Sequence, residues 1–467
     1  MKLFNDLSGK KEELGQKDNY VRMYACGPTV YNYFHVGNAR CFVTFDLLRR
    51  FLEYRGNKVD FVQNFTDIDD KMIRRANEEN TTVKEVAERY IEEYFKDAKG
   101  LGVNPATFHP RATENIDSII AIIEKLIENG HAYESQGDVY FSARSFKSYG
   151  SLSGKNIDDL ESGARIDVSD IKRDPLDFAL WKASKPGEPF WESPWGQGRP
   201  GWHIECSAMV DKYLGKTIDI HCGGVDLTFP HHENEIAQSE GAFGVPFCRF
   251  WIHNGFINVD NKKMSKSLGN FFTVRDAAEK YGYAAIRYFI LSAHYKSPVN
   301  FSADILSQAQ ASVQRLYNCE ENLRFLLKNA VEGEFTAEEA EFMKKLDGRR
   351  EAFIEVMEDD FNTADGLATL FEAVKDINIF VSAPRSKEAL TKILSFYEEI
   401  CGLLGFLKPE EENTGAFDDA KVEEMIQERA NAKKEKNYAK ADEIRALLLE
   451  NGIVIEDTPA GAKWHRA

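Results

Sequence analysis

Residues 20–65 change hydrophobic period twice. Residues 20–25 and 59–65 read as short strands, and Phe42, Phe45, Leu48 and Leu52 recur between them at spacings of three and four, the period of one helix face. A strand, a helix and a second strand in that order predict parallel pairing through a crossover. Ligands on such sheets sit beyond the carboxyl ends of strands, beside the following helix N-terminus, which makes residues 26–38 the place to look for chemistry. A second βα-like stretch spans 217–241, and an apolar strand at 250–253 leads into a polar, basic, glycine-ended loop at 261–270. Between the two halves, residues 71–198 are mixed, with amphipathic helices predicted over 83–99 and 115–129 and then polar, Pro-containing stretches; this reads as an insertion. From 301 to 406 the pattern is almost wholly helical, 408–415 reads as a linker, and 418–467 as a small module.

Length sharpens this division: 467 residues accommodate about three domains at roughly 150 residues each. The proportions of apolar (43%) and charged (29%) residues are those of an ordinary globular protein, and no apolar run approaches the roughly 20 residues that span a bilayer. The first residues have neither a signal-peptide core nor a transit-peptide pattern, so a cytoplasmic protein without a membrane role is expected. Seven widely spaced cysteines argue for reduced thiols rather than a disulfide framework. The net charge of −17 repels a polyanion at long range, so any nucleic-acid contact must come from local basic patches. One such patch is Arg429, Lys433, Lys434, Lys436, Lys440 and Arg445 on a predicted helix, with Trp464, His465 and Arg466 near the end of the chain. Basic charge beside an aromatic suits phosphate contact and base stacking; a solvated helix paired with Glu428, Glu435 and Glu443 is the equal alternative.

Three groups of residues carry candidate chemistry. His35, Val36, Gly37 and Asn38 precede a predicted helix, where free N–H groups and the helix dipole favour an anion and Gly37 admits close approach; a histidine satisfied by packing is the bland alternative. Lys263, Met264, Ser265, Lys266 and Ser267 put two lysines and two hydroxyls in a loop, suited to neutralising charge on a transferring phosphate, or forming merely a solvated basic loop. Cys26 and Cys206 flank the presumed pocket. His231 and Glu235, four residues apart, share a helix face and could complete a tetrahedral zinc site with the two thiolates. His232 is three residues from Glu235, so spacing alone does not choose between the histidines, and small buried thiols beside a helix ion pair would give the same pattern.

An early His-x-Gly element followed by Lys-Met-Ser-Lys-Ser resembles the paired ATP signatures of class I aminoacyl-tRNA synthetases. The blocks at 24–31, 201–209 and 229–239 resemble those of the cysteinyl-tRNA synthetases in particular, and the likeness extends over essentially the whole chain. The resemblance implies an α/β Rossmann-type catalytic domain over 1–300 with its insertion at about 71–198, an all-α tRNA-binding bundle over 301–407 and an anticodon-recognition module over 417–467. It implies that L-cysteine is activated by ATP, with Mg2+, and transferred to tRNA(Cys). It selects Cys26, Cys206, His231 and Glu235 as ligands of one Zn2+. Its catalytic residues would be His35, Asn38, Lys263 and Lys266, with His35 and Lys266 contacting the reacting phosphates and Lys263 in support, and His35, Gly37, Asn38, Gly224, Asp226 and Lys266 would bind ATP. Cys26, Thr66, Trp202 and His221 would bind cysteine, and Arg429, Lys433, Lys440 and Trp464 would bind tRNA. Asn38 departs from the usual second histidine of His-x-Gly-His; it can donate a hydrogen bond but carries no charge. A monomer is expected. Two alternatives share parts of this pattern: a zinc-dependent ligase that passes cysteine to an amino-sugar inositol, which would not be expected to keep the terminal module, and a non-catalytic tRNA-binding paralogue.

Overall fold

The computed structural model describes residues 1–15, 18–156, 171–263, 272–330, 332–409, 417, 419–458 and 461–466. A hairpin of β1 (Lys2–Asn5) and β2 (Lys10–Glu13) precedes β3 (Tyr20–Ala25), α1 (Val36–Tyr54) and β4 (Lys58–Gln63). β3 and β4 pair in parallel from Tyr20↔Lys58 to Ala25↔Gln63, and the predicted face of α1, Phe42, Phe45, Leu48 and Leu52, is buried. The strand, helix, strand reading of this segment is what the fold contains.

The next region holds α2 (Asp70–Glu79), α3 (Val83–Gly100) and α4 (Ile116–Glu128), then an antiparallel sheet of β5 (Ala132–Ser135), β6 (Asp138–Phe141), β7 (Phe178–Ala183) and β8 (Gly198–Pro200). Position 198, expected as the end of the insertion, falls inside this sheet. Ile119, Ile123 and Leu126 of α4 and Leu180 and Trp181 of β7 share one core with Ile204 and Ala208 of α5 (Ile204–Leu214) and Ala237 of α6 (Glu233–Phe243). The inserted elements thereby buttress the two helices that carry metal-ligand candidates.

β9 (Ile218–Gly224) pairs in parallel with β3 on one side and with β10 (Cys248–Asn254) on the other, giving the order β10, β9, β3, β4. From β3 the chain moves to one edge and from β9 to the opposite edge. This is a topological switch point, and the crevice beyond the carboxyl ends of β3 and β9 is where an open α/β sheet binds its ligand. Beyond it, β11 (Ile257–Val259) and β12 (Lys262–Lys263) form a hairpin, α7 (Val274–Tyr281) and α8 (Tyr283–Leu291) follow, and β13 (Val299–Phe301) pairs with β11.

Four helices come next: α9 (Ala303–Lys328), α10 (Ala337–Glu358), α11 (Thr363–Phe380) and α12 (Lys387–Leu404). Most of the linker expected at 408–415 lies outside the described residues. The terminal module is α13 (Asp419–Lys434), α14 (Tyr438–Glu450) and an antiparallel hairpin of β14 (Ile453–Thr458) and β15 (Gly461–Arg466). Val422, Met425, Ile426, Ile444, Leu448, Ile453 and Ile455 form its core. The chain divides into two compact units, Met1–Val313 with Glu351–Leu370, and Gln314–Arg350 with Phe371–Ala467, so the division runs through helices rather than at the expected 300/301 boundary. Among the described residues no helix is long and apolar enough to cross a membrane.

Candidate active site

Four side chains from three places in the sequence converge beneath the carboxyl end of β3. Cys26 follows β3, Cys206 lies on α5, His231 in the turn before α6, and Glu235 in the first turn of α6. All four are buried. Cys26 Sγ is 3.8 Å from Cys206 Sγ and 3.3 Å from Glu235 Oε1, Cys206 Sγ is 3.6 Å from His231 Nε2, and His231 Nε2 is 3.1 Å from Glu235 Oε1. A sulfur separation of 3.8 Å is far beyond the roughly 2.05 Å of a disulfide. It equals the edge, about 3.8 Å, of a tetrahedron whose centre is ~2.3 Å from each sulfur, the usual zinc–sulfur distance. Two thiols, an imidazole and a carboxylate at these separations fit a zinc ion.

The electrostatics explain how charge is kept in this buried place. Burial works against the charge of Glu235, yet the rings of His221 and His231 outweigh it and hold the carboxyl at about 2. Burial likewise opposes protonation of His231, but its hydrogen bonds to Cys206 and Glu235 raise it to about 10. The hydrogen bond with Cys26 brings the Cys206 thiol down to about 6, whereas burial pushes Cys26 well up. A layer of further groups orients these four. His221 Nε2 meets Glu235 Oε2 at 2.8 Å, and its ring stacks on Trp251. His232 Nε2 faces Cys26 Sγ at 3.3 Å, its Nδ1 meets His253 Nε2 at 2.7 Å, and His253 Nδ1 meets Asp6 Oδ2 at 2.8 Å. Cys26, His221, His232 and Glu235 form a second group with ligand spacing, so the fold turns both His231 and His232 inward. The first group has two sulfurs, the softer donor set, and suits zinc better.

Above these residues opens a cavity of about 470 Å3 at the switch point. It is lined by Cys26, His35, Gly37, Asn38, Trp202, Gly224 and Asp226 from among the expected site residues. Gly27 also lines it: a Cβ there would lie 1.6 Å from Asn64 O, so only glycine fits. His35 is the N-cap of α1, with Nδ1 accepting from Asn38 N (3.2 Å) while Asn38 Oδ1 accepts from His35 N (3.3 Å). With Nδ1 an acceptor, the neutral ring carries its proton on Nε2 and can donate to a phosphate oxygen. Asn38, the departure from the usual motif, closes the capping box.

Phe34 and Val36 exchange backbone hydrogen bonds with Val274 and Phe272, so the His-x-Gly turn is joined to the far end of the Lys-Met-Ser-Lys-Ser loop more than two hundred residues later. Lys266 lies outside the described residues. Lys263 closes the β11–β12 hairpin through its backbone pairing with Asn258. Trp202 is 44% exposed with its ring 4.5 Å from that of His231, a pocket wall rather than a core aromatic. Thr66 is buried and donates its hydroxyl proton to Glu205 Oε2 at 2.7 Å. Thr66, Cys206, His221, His231 and Glu235 lie behind the cavity surface. Lys71, Asn254, Phe256 and Ile257 also line the cavity and were missed from sequence; the rule that ligands sit beyond strand carboxyl ends, applied to β10, would have found Asn254.

The terminal module is organised differently from the expected basic stacking surface. Arg429 is buried and gives Asp457 two hydrogen bonds, of 2.8 and 2.9 Å, and Lys433 joins the same carboxylate at 2.7 Å. Trp464 packs on the module core and donates to Glu423 at 3.0 Å. Arg429 and Trp464 are therefore committed within the fold, whereas Lys440 is about half exposed, at 54%, opposite Glu428.

Three family profiles match the chain in succession: the tRNA synthetases class I (C) catalytic domain over residues 13–311, the DALR domain over 352–408, and the cysteinyl-tRNA ligase anticodon binding domain over 419–464. Among solved structures, the chain resembles a Mycobacterium tuberculosis methionyl-tRNA synthetase in complex with methionyl-adenylate (TM-score 0.57, 15% identity, 83% of this chain and 90% of that one). A LeuRS of Agrobacterium radiobacter in a ternary complex with tRNA and LeuAMS gives a TM-score of 0.60 at 11% identity, covering 83% of this chain and 86% of that one. A putative arginyl-tRNA synthetase of Campylobacter jejuni gives 0.56 at 11% identity, covering 85% and 95%. At such identities these likenesses establish the Rossmann-type class I fold.

Proposed function

The chain belongs to the class I cysteinyl-tRNA synthetases, and from that premise we propose how its residues carry out cysteine–tRNA ligation. The enzyme activates L-cysteine with ATP, forming cysteinyl-adenylate and pyrophosphate, and then transfers cysteine to the 3′ end of tRNA, here assigned as tRNA(Cys). The observation that carries the assignment to these residues is the buried group of two thiols, an imidazole and a carboxylate directly beneath the cavity.

Cys26, Cys206, His231 and Glu235 would hold one zinc ion, which when bound supplies a borderline-soft Lewis acid that favours a substrate thiolate over the hard hydroxyl of serine. His221 orients Glu235. Trp202 walls the amino-acid end. Thr66, just behind the cavity surface, donates its hydroxyl hydrogen bond to Glu205 and accepts one from Asn64 Nδ2, which leaves one oxygen lone pair to face the ammonium group of cysteine. The substrate carboxylate is already ionised at neutral pH, so no general base is needed for its attack on the α-phosphate, and pyrophosphate departs. Rate then depends on alignment and charge stabilisation. His35 Nε2–H, the N-terminus of α1 and the loop lysines Lys263 and Lys266 supply these toward the phosphates of MgATP. Gly224 lets the nucleoside approach, and Asp226 accepts from its ribose hydroxyls. In the terminal module, Lys433 and Lys440 approach tRNA from a scaffold that Arg429 and Trp464 hold together. The enzyme acts as a monomer in the cytoplasm.

The test is ATP-dependent attachment of labelled cysteine to tRNA, with serine competing and a zinc chelator in parallel. Charging that resists serine and falls on chelation is expected. Cysteine-dependent ATP–pyrophosphate exchange without tRNA charging would instead favour transfer to an amino-sugar inositol, against which the anticodon-binding match over 419–464 already counts.

A further inference from the structure

We propose that Asn254 is a substrate-binding residue that accepts a hydrogen bond from the exocyclic 6-amino group of adenine and so selects ATP among purine triphosphates. The proposal rests on the reading of the cavity as the ATP site. Asn254 ends β10 and pairs with Gly224 in the parallel ladder, which puts it on the nucleoside side of the switch-point crevice. It lines the cavity although only 3% of it is exposed, and its Oδ1 has no hydrogen-bond partner among the described residues. A buried amide oxygen left unpaired carries a desolvation cost that a ligand donor would remove.

The orientation of the amide is set by its surroundings. Asn254 Nδ2 donates to Gly255 O at 3.1 Å, so rotating the amide by half a turn would press oxygen against oxygen. Gly255 O is itself fixed, because Arg40 Nη1 donates to it at 2.9 Å and to Phe256 O at 2.8 Å. Arg40 is fully buried, also donates to Tyr295 O at 3.0 Å, and forms no ion pair among the described residues. Its charge is spent on backbone carbonyls that brace this wall. Gly255 passes so close to the neighbouring loop that a Cβ would lie 2.5 Å from Lys296 O. The wall is built before any nucleotide arrives, and the atom it leaves unpaired is an acceptor.

Adenosine offers two kinds of donor. The ribose hydroxyls suit the stronger acceptor, the Asp226 carboxylate that also lines the cavity, which leaves the 6-amino group for Asn254. Phe256 and Ile257, next along the lining, give the flat apolar contact a base needs. Guanine would present its O6 acceptor to a fixed acceptor and be rejected.

The experiment is a substrate–enzyme double-mutant cycle in cysteine-dependent ATP–pyrophosphate exchange, using full-length enzyme, ATP and the purine riboside triphosphate that lacks the 6-amino group. In wild type, loss of that group is expected to raise KM about tenfold, the worth of one hydrogen bond to a buried partner. Asn254→Ala should raise KM for ATP by a similar factor, leave KM for cysteine unchanged, and show no further penalty with the analogue. Equal penalties in wild type and variant would overturn the proposal, as would non-additivity appearing with 2′-deoxy-ATP instead. If Asn254→Ala fails to fold, Asn254→Asp keeps an acceptor oxygen; retention of the wild-type penalty for the missing 6-amino group supports the contact and its disappearance refutes it. A wild-type enzyme without cysteine-dependent exchange would bring down the active-site assignment itself, a result distinct from additivity in an active enzyme.

Discussion

Glu235 offers each oxygen to a different partner: Oε1 faces Cys26 and His231, and Oε2 faces His221. Whether His221 is a ligand or the orienting group behind one can be separated by magnitude. Loss of an orienting partner costs roughly 10–100-fold in metal affinity. His221→Ala is expected to fall in that range in a chelator competition, and Glu235→Gln to exceed it; equal losses would shift the ligand set to Cys26, His221, His232 and Glu235. A second histidine carries a pH prediction. His109 Nδ1 donates to Gln63 O at 2.9 Å while Nε2 accepts from Ala106 N at 2.9 Å, an arrangement only the neutral ring satisfies. Burial lowers its pKa from 6.5 to about 4. Between those values the unfolded chain binds the extra proton, so stability is full above pH ~6.5 and declines as pH falls toward 4, by at most roughly 3 kcal/mol. An NMR titration of this ring in the native enzyme checks it, and a midpoint at or above 6.5 would contradict the assignment.

At the scale of elements, the His-x-Gly turn shows how a local device serves the site. The box formed by His35 and Asn38 satisfies α1 donors that would otherwise be open, a feature worth about 1 kcal/mol. Asn38→Ala is expected to destabilise the enzyme by about that amount and to weaken ATP binding. Asn38→Asp keeps the acceptor for His35 N and should keep the melting temperature, yet it sets a negative charge beside the phosphates and should raise KM for ATP several-fold. Thermal melts alongside ATP–pyrophosphate exchange separate the two effects. Periodicity revealed β3, α1, β4, α3 and α4 because their faces repeat within a few residues. It could not reveal Asp6 behind His253, Arg40 behind Gly255 or Asp457 behind Arg429, since those partners lie 247, 215 and 28 positions apart and no repeat connects them. Spacing left His231 and His232 undecided for a related reason. The backbone just before α6 departs from helical geometry at Phe229, and both histidines end up buried.

At the scale of the whole molecule, the two activities are assigned by the proposed reading to different parts of the chain. The cavity, its zinc-ligand candidates and both candidate ATP elements belong to the match over 13–311, whereas 419–464 matches an anticodon binding domain with a core of its own. Deleting residues 417–467 is therefore expected to leave cysteine-dependent ATP–pyrophosphate exchange within about twofold of wild type and to lower tRNA charging by orders of magnitude. Equal loss of both would mean that the module supports the catalytic fold. Net charge gives an independent check. A protein carrying −17 must bind a polyanion through a few local cations. Each phosphate contact adds to the salt dependence of that step, while adenylation of a small substrate in an enclosed pocket carries far less of it. Raising salt from 50 to 200 mM should therefore increase the KM for tRNA steeply while exchange changes little. Replacing Lys433 and Lys440 with neutral residues should flatten that salt slope by about one unit per lost contact, without the loosening of the terminal module expected on replacing the buried Arg429.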